Sequence, residues 1–408
     1  MAELLVRDGV PRAIAGTPVG MVARPATVAE ACDVLRDAHA RRDTVSFYGG
    51  GTELGLGYPP ERVDVLLATH RLARVVDYAP ADLVIEVEAG MTLAALRAAT
   101  LAQRQRFVLD CPLPERATVG GVVATNAFGP RRTRFGTVRD HIVGGSLIRA
   151  DGRLVRGGGK VVKNVAGFDL PKLAVGSLGT LALIARVTLR LHPLPEASAA
   201  LAIAGCSNDD LRALERGIVA AQLEPSAFVA ERTGPGEHRA VVLFEGFAAG
   251  VDEQRERLAA FARSLSRSAE RVEPEVIERI DGATRTHGDV RMRCCVLPSF
   301  ARQLDRDGLG PLYAALAEAR SVAYPSLGIV FVSGRVDDCD AVAAALLRAR
   351  TAAESCGGNA VLLEANDDVR ARIDPYGATP ASLGLMRELK ARFDPPRRLN
   401  PGRFIGRI

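Results

Sequence analysis

The chain has 408 residues, 48% of them hydrophobic and 25% charged, and a formal net charge of +5. This length exceeds what one core holds, since single cores stop growing near ~250–300 residues, and the composition excludes a disordered or coiled-coil chain. The small positive charge is spread without a long basic run, which excludes a nucleic-acid-binding tail. Seven cysteines, with no metal-ligand spacing apart from the adjacent Cys294 and Cys295, read as reduced thiols of a cytoplasmic protein. Residues 1–20 carry no apolar leader core, and the longest apolar stretch, 173–185, is too short to span a bilayer. The expectation is a soluble, intracellular, two-domain chain with no direct membrane insertion.

The first predicted element is a helix over residues 28–40. Thr27 and Glu30 form a capping box, and Val28, Ala31, Val34, Leu35 and Ala38 share one face. A β-rich run at 44–48 enters Gly49-Gly50-Gly51-Thr52, and strands follow at 63–67 and 83–88. Thr92 caps a second helix reaching about residue 103, residues 147–155 read as a hairpin around Asp151-Gly152, and 181–191 as one long strand. His192-Pro-Leu-Pro-Glu196 sustains neither helix nor central strand and marks a domain boundary. Beyond it the pattern becomes strand–helix–strand: 201–204 then 209–222, and 328–332 then 337–355 then 360–364. This predicts an antiparallel sheet covered by helices. A last helix ends at Asp394-Pro395-Pro396, and the turn-rich Leu399-Asn400-Pro401-Gly402 reads as docked rather than frayed.

Glycine supplies 40 residues, about a tenth of the chain, and they cluster at 49–51, 120–121, 144–145, 157–159 and 176/179. A strand running into three glycines and a threonine brings backbone N–H groups close to an anion, although a plain surface loop has the same composition. The run is neither a Walker A loop nor a dinucleotide fingerprint, which disfavours ATP and NAD. Only four lysines stand against 49 arginines, and Lys160, Lys163 and Lys172 fall within thirteen residues. They mark either sites that want a compact point charge or a chance cluster in a loop.

Arg116-Ala-Thr-Val-Gly120-Gly121-Val-Val-Ala-Thr-Asn126-Ala-Phe-Gly129 and Arg134-Phe-Gly136-Thr-Val-Arg-Asp140 carry a resemblance. So do Gly159-Lys160-Val-Val-Lys163-Asn164-Val-Ala-Gly167-Phe168-Asp169 and Gly176-Ser177-Leu178-Gly179-Thr180-Leu181. Together they resemble the FAD-binding domain of the vanillyl-alcohol-oxidase/p-cresol-methylhydroxylase (PCMH-type) flavoproteins. Phe393-Asp394-Pro395 and Leu399-Asn400-Pro401-Gly402 are similar to that family's closing segment, and the Lys-Asn-Val-Ala-Gly-Phe-Asp run is most similar to the E subunits of bacterial glycolate oxidases. The resemblance implies an α+β fold: a PCMH-type FAD domain of two α/β subdomains over 18–196, an α+β cap over 197–380, and a C-terminal helix and tail (381–408) that packs back on the FAD domain. It implies that Gly49, Gly50, Gly51 and Thr52 cradle the FAD pyrophosphate. Thr118, Gly120, Gly121, Asn126 and Gly129 line the flavin and ribityl chain, with Phe135 and Gly136 beside the cofactor. Gly179, Thr180 and the backbone near Ile184 meet the adenine half, with Asn400 a further cofactor residue from the tail.

The implied chemistry is oxidation of a small 2-hydroxy acid, glycolate or D-lactate, by non-covalent FAD. Electrons then pass to a second flavoprotein subunit and an iron–sulfur subunit, through which the chain would reach a membrane. No histidine lies in the first glycine loop to link the flavin covalently, and Cys111 reads as a small buried hydrophobe. Arg131, Arg132 and Arg134 are candidates for holding a carboxylate or stabilising reduced flavin, or else form a solvated basic loop. The cap has only His238 and His287, and His287-Gly288-Asp289 superficially resembles a metal-binding set that its neighbours do not continue. No metal site is expected, His141 reads as structural, and the general base is unassigned. Two other readings stay open: a self-sufficient FAD-linked hydroxy-acid or polyol dehydrogenase, and a flavin-carrying electron-transfer or assembly subunit without substrate chemistry.

Overall fold

The computed structural model describes residues 9–159 and 169–408, so the 160–168 part of the Lys-Asn-Val-Ala-Gly-Phe-Asp run lies outside the described residues. The chain forms two units. The first gathers residues up to 127, then 137–194 and 378–408; the second holds 128–136 and 195–377. The architecture is α+β.

The first unit holds two principal sheets. One runs in the order Ala13–Ile14, Thr17–Ala23, Val63–Ala68, Val45–Tyr48, with its last three strands parallel. Helix Val28–Arg41 joins two of them, as a parallel crossover demands. Its Thr27 hydroxyl accepts from the Glu30 N–H, while Glu30 Oε2 accepts from Ala26 N–H, one residue outside the standard box. The apolar face that the sequence spacing indicates is the buried one: Val28, Ala31, Leu35 and Ala38. They share a core with Val65, Leu67, Ile148 and Leu183. The second sheet is antiparallel, in the order Val75–Ala79, Val84–Glu88, Leu183–Arg190, Ile142–Ile148, Leu154–Gly158.

The second unit is one antiparallel sheet of eight strands. Their order is Ala269–Val272, Ala197–Cys206, Glu237–Gly246, Ala227–Gly234, Ala317–Tyr324, Ile329–Arg335, Val290–Cys295, Asn359–Glu364. Helices Asn208–Ala220 and Ala248–Ser264 pack against one half of it, and Cys339–Ser355 against the other, each half with its own core.

The sequence reading draws its first domain as 18–196, whereas residues 128–136 belong here to the second unit. The physical reason is local. Phe128 is buried against the rings of Tyr324 and Phe331. Arg131 pairs with Glu245 at 3.1 Å and with Glu278 at 2.6 Å, and Arg134 with Glu224 at 3.0 Å. Among the described residues, no helix is long and apolar enough to cross a membrane.

Candidate functional site

Strand Val45–Tyr48 delivers the chain into a cleft of the first unit. Four segments wall it: the loop from Gly49 to Leu54, helix Val119–Thr125, the turn from Leu178 to Ile184, and the tail at Asn400 and Arg403. Of the residues named from sequence, Gly49, Gly50, Gly51, Thr52, Thr118, Gly120, Gly121, Gly179, Ile184 and Asn400 line this one cleft. Thr180 lies just behind it, fully buried, its hydroxyl donating to the Ser177 carbonyl at 2.7 Å. Asn126 caps the C-terminus of helix Val119–Thr125 at φ 52°, and its Oδ1 is buried without a hydrogen-bond partner among the described residues. Gly129, Phe135 and Gly136 fall in the second unit, as do Arg131, Arg132 and Arg134.

The glycines do different jobs. A Cβ on Gly50 would overlap the Arg116 carbonyl, and one on Gly49 the Thr118 hydroxyl, so these two allow the loops at 49–51 and 116–118 to touch. Gly51 sits at φ +69°, where a side chain is strained. This conformation lets the loop turn with N–H groups of Gly49 to Thr52 donating no hydrogen bond among the described residues. Helix Val119–Thr125 offers no such donors at its start, since Gly120 N–H is taken by the Ala89 carbonyl at 2.7 Å and Gly121 N–H by Thr118 Oγ1 at 3.2 Å. The anion cradle is therefore the loop after the strand, and the helix supplies a smooth wall.

Two cations flank that loop. Arg116 donates to the Gly50 carbonyl at 3.2 Å. Arg403, only 6% exposed, donates to the carbonyls of Leu54 at 3.0 Å and Leu56 at 2.6 Å. Burial pushes the Tyr48 phenol up, against the opposing pull of Arg116, and its hydroxyl donates to the Gly9 carbonyl at 3.1 Å. Arg403 directly follows Leu399-Asn400-Pro401-Gly402 but is not legible as a site residue in the sequence, where it is one of 49 arginines. Tyr48 and Leu178 were likewise missed, being indistinguishable in sequence from ordinary core residues.

The tail is built into the cleft. Val45 N–H donates to the Arg398 carbonyl at 2.8 Å and Asn400 N–H to the Val45 carbonyl at 2.9 Å, so residues 398–400 run beside the strand. Asn400 Nδ2 donates to the Leu178 carbonyl at 2.7 Å. A dinucleotide with two phosphates and a flat ring needs unpaired N–H donors, nearby cations and small apolar walls. Gly49 to Thr52, Arg116 with Arg403, and Ala89, Ala124, Ala182 and Leu183 supply these in turn, and the residues present fit FAD.

Residues 19–158 match the FAD binding domain family. This part of the chain is an FAD-binding domain of the PCMH type. A D-lactate dehydrogenase of Archaeoglobus fulgidus is 37% identical over 183 residues, covering 45% of this chain and 41% of that protein. The glycolate oxidase subunit GlcE of Escherichia coli is 38% identical over 156 residues, covering 38% of this chain and 43% of that protein. These alignments thus span less than half the length of either relative. A solved structure of alkyldihydroxyacetonephosphate synthase shares the fold at a TM-score of 0.72 and 16% identity, covering 94% of this chain and 77% of that one.

In the second unit, Arg131 and Arg134 are each engaged with carboxylates, and the Arg132 guanidinium lies 4.2 Å from the centre of the Phe128 ring. Arg285 and Asp281 form a buried pair at 3.1 Å, and Tyr324 donates to Asp281 at 2.6 Å. Arg293 Nε is buried without a hydrogen-bond partner among the described residues. His287 Nε2 lies 2.9 Å from the Glu318 carbonyl, and no metal-holding cluster of His, Cys, Asp or Glu occurs among the described residues.

Proposed function

We propose that the chain is an FAD-dependent oxidoreductase acting on the CH–OH group of a small 2-hydroxy acid, glycolate or D-lactate. The observation that carries the reading is the cradle of unpaired N–H groups at Gly49 to Thr52 inside an FAD-binding domain. The names of the similar proteins, a D-lactate dehydrogenase and a glycolate oxidase subunit, support the substrate class. Bound FAD supplies a two-electron acceptor for hydride leaving the alcohol carbon. The chain's own residues bind it: Gly49 to Thr52 at the phosphates, Thr118, Gly120 and Gly121 along the ring and ribityl side, and Gly179, Ile184 and Asn400 on the opposite wall. Holding a substrate carboxylate calls for a cation; of the arginines considered, Arg131 and Arg134 already hold carboxylates of the chain, which leaves Arg132 and Arg293 as the stronger candidates. The electrons pass on to a second flavoprotein subunit and an iron–sulfur subunit, a role supported by the subunit character of one relative.

The test is anaerobic mixing of the purified, flavin-loaded chain with glycolate, D-lactate and a polyol, following flavin bleaching near its visible absorption band. Bleaching by a 2-hydroxy acid alone supports the proposal. Bleaching by the polyol points to a different CH–OH substrate. Absence of bleaching by any of them, with dithionite still bleaching the flavin, favours a subunit that carries electrons without substrate chemistry.

A further inference from the structure

Lys390 is the one lysine of this chain outside residues 160–172, and it is 3% exposed. Its ammonium is fully committed. Nζ donates to the Thr180 carbonyl at 2.7 Å, to Asp394 Oδ2 at 2.7 Å and to the Leu399 carbonyl at 2.8 Å. Asp394, 0% exposed, uses the same Oδ2 to accept from the Leu399 N–H at 2.8 Å. Three acceptors converging on one point suit a compact ammonium with three donors and not the planar fork of arginine. In a chain with 49 arginines, that choice has a physical reason.

The two carbonyls held by Lys390 belong to the two segments that close one wall of the cleft. Thr180 follows Leu178 and Gly179, and Leu399 precedes Asn400; Leu178, Gly179 and Asn400 all line the cleft. The segments are joined again by Asn400 Nδ2 on the Leu178 carbonyl, and they fit closely, since a Cβ on Gly179 would lie 2.7 Å from Asn400 Nδ2. Farther along the tail, Arg403 ties the end of the glycine loop through Leu54 and Leu56.

We infer that the Lys390–Asp394 pair is a latch that couples docking of the C-terminal tail to cofactor binding, acting as a positioning pair without touching the cofactor. The inference rests on the FAD-binding reading of the cleft. An undocked tail removes Asn400 and Arg403 from the wall and frees the 178–180 turn, so FAD binds the docked state. By linkage, FAD must then favour docking to the same degree.

The experiment has two arms, both on the full chain freed of flavin and titrated with FAD. In the first, wild type is digested with trypsin, whose sites include Arg397, Arg398, Arg403 and Arg407. Saturating FAD is expected to slow cleavage at these tail sites about tenfold or more; equal rates with and without FAD overturn the coupling. In the second, FAD dissociation constants are measured by fluorescence quenching for wild type, Lys390→Met and Lys390→Arg. Both variants are expected to bind at least about tenfold more weakly, the arginine failing to rescue although it keeps the charge. Variants that bind FAD as wild type does overturn the latch, whereas a wild type that binds no FAD overturns the cleft reading itself. If Lys390→Met does not fold, Lys390→Arg and Asp394→Asn are titrated in its place, because Asn400 and Arg403 line the cleft and FAD protects the tail through them whatever the pair does.

Discussion

Gly50 and Gly121 both line the cleft, yet a methyl group at each meets different surroundings. At Gly50 it would run into the Arg116 carbonyl, a backbone atom that cannot step aside. Gly50→Ala is therefore expected to separate the loops at 49–51 and 116–118 and to lower the stability of the first unit even without cofactor. At Gly121 the nearest atom is Thr118 Oγ1 at 3.1 Å, with nothing else within van der Waals range. Helix formation favours alanine there by about 1 kcal/mol, so Gly121→Ala is expected to leave the melting temperature of the flavin-free protein unchanged or slightly raised. It should still weaken FAD about tenfold by projecting into the cleft. Calorimetry of the flavin-free forms beside fluorescence titration separates the two; a Gly121→Ala protein with undiminished affinity would show that the helix wall is not in contact with the cofactor. The glycine clusters were legible as a place where backbone comes close to something. What Gly49 and Gly50 approach was not, because their partners, Thr118 and Arg116, lie more than sixty residues away.

At the scale of elements, the strand Glu237–Gly246 carries a histidine in the alternating series whose next members, Ala240, Val242 and Phe244, are buried in the core. His238 is 7% exposed and both ring nitrogens lack a hydrogen-bond partner among the described residues. Burial first, and Arg232 second among the lowering influences, hold its pKa below the usual 6.5, against Asp305 and Glu237. The folded chain thus keeps His238 neutral while the unfolded chain takes up a proton near 6.5. Stability from this group is fully present above that pH, is lost progressively below it, and levels off once the folded pKa is passed. Each unit of depression is worth about 1.4 kcal/mol. Between about pH 7.5 and about pH 5, wild type is expected to lose more melting temperature than His238→Gln, whose side chain does not titrate. Parallel slopes for the two proteins would contradict this.

Elements with a capping residue and a clear apolar period were readable in sequence: the helices after Thr27 and Thr92 begin at the residues following those caps, and the helix expected at 209–222 spans Asn208–Ala220. Helix Val119–Thr125 was not, because two glycines and three valines have poor helix propensity. Tertiary context overrides it: Thr118 caps the helix, and Val119, Val122 and Val123 bury their side chains.

For the molecule as a whole, the sequence order conceals that the cofactor cleft is assembled from the beginning, middle and end of the chain. Composition marks a change near residue 196 but cannot reveal that Asn400 and Arg403 return to the strand at Val45–Tyr48. Nor can it show that 128–136 leaves with the second unit. The assembled cleft bears on how the flavin is held. A covalent link needs a nucleophilic side chain at the ring, a histidine, cysteine or tyrosine in ordinary flavoprotein chemistry. The lining contains no histidine or cysteine, and none occurs in residues 160–168. Its one tyrosine, Tyr48, has a phenol whose pKa is raised, which disfavours the phenolate, and its hydroxyl is already donated to Gly9. Cys111 is buried, 5% exposed, and is absent from the lining. Acid precipitation of the flavin-loaded protein is therefore expected to leave the flavin in the supernatant and the pellet colourless, with the intact chain at the mass of its unmodified sequence. Returning FAD to the stripped, refolded protein should raise its melting temperature, since a ligand at about 100 times its dissociation constant adds about 2.7 kcal/mol to the folded state. Fluorescence retained by the chain on a denaturing gel would reverse the expectation, and mapping of the modified peptide would show whether Tyr48 or Cys111 carries the flavin.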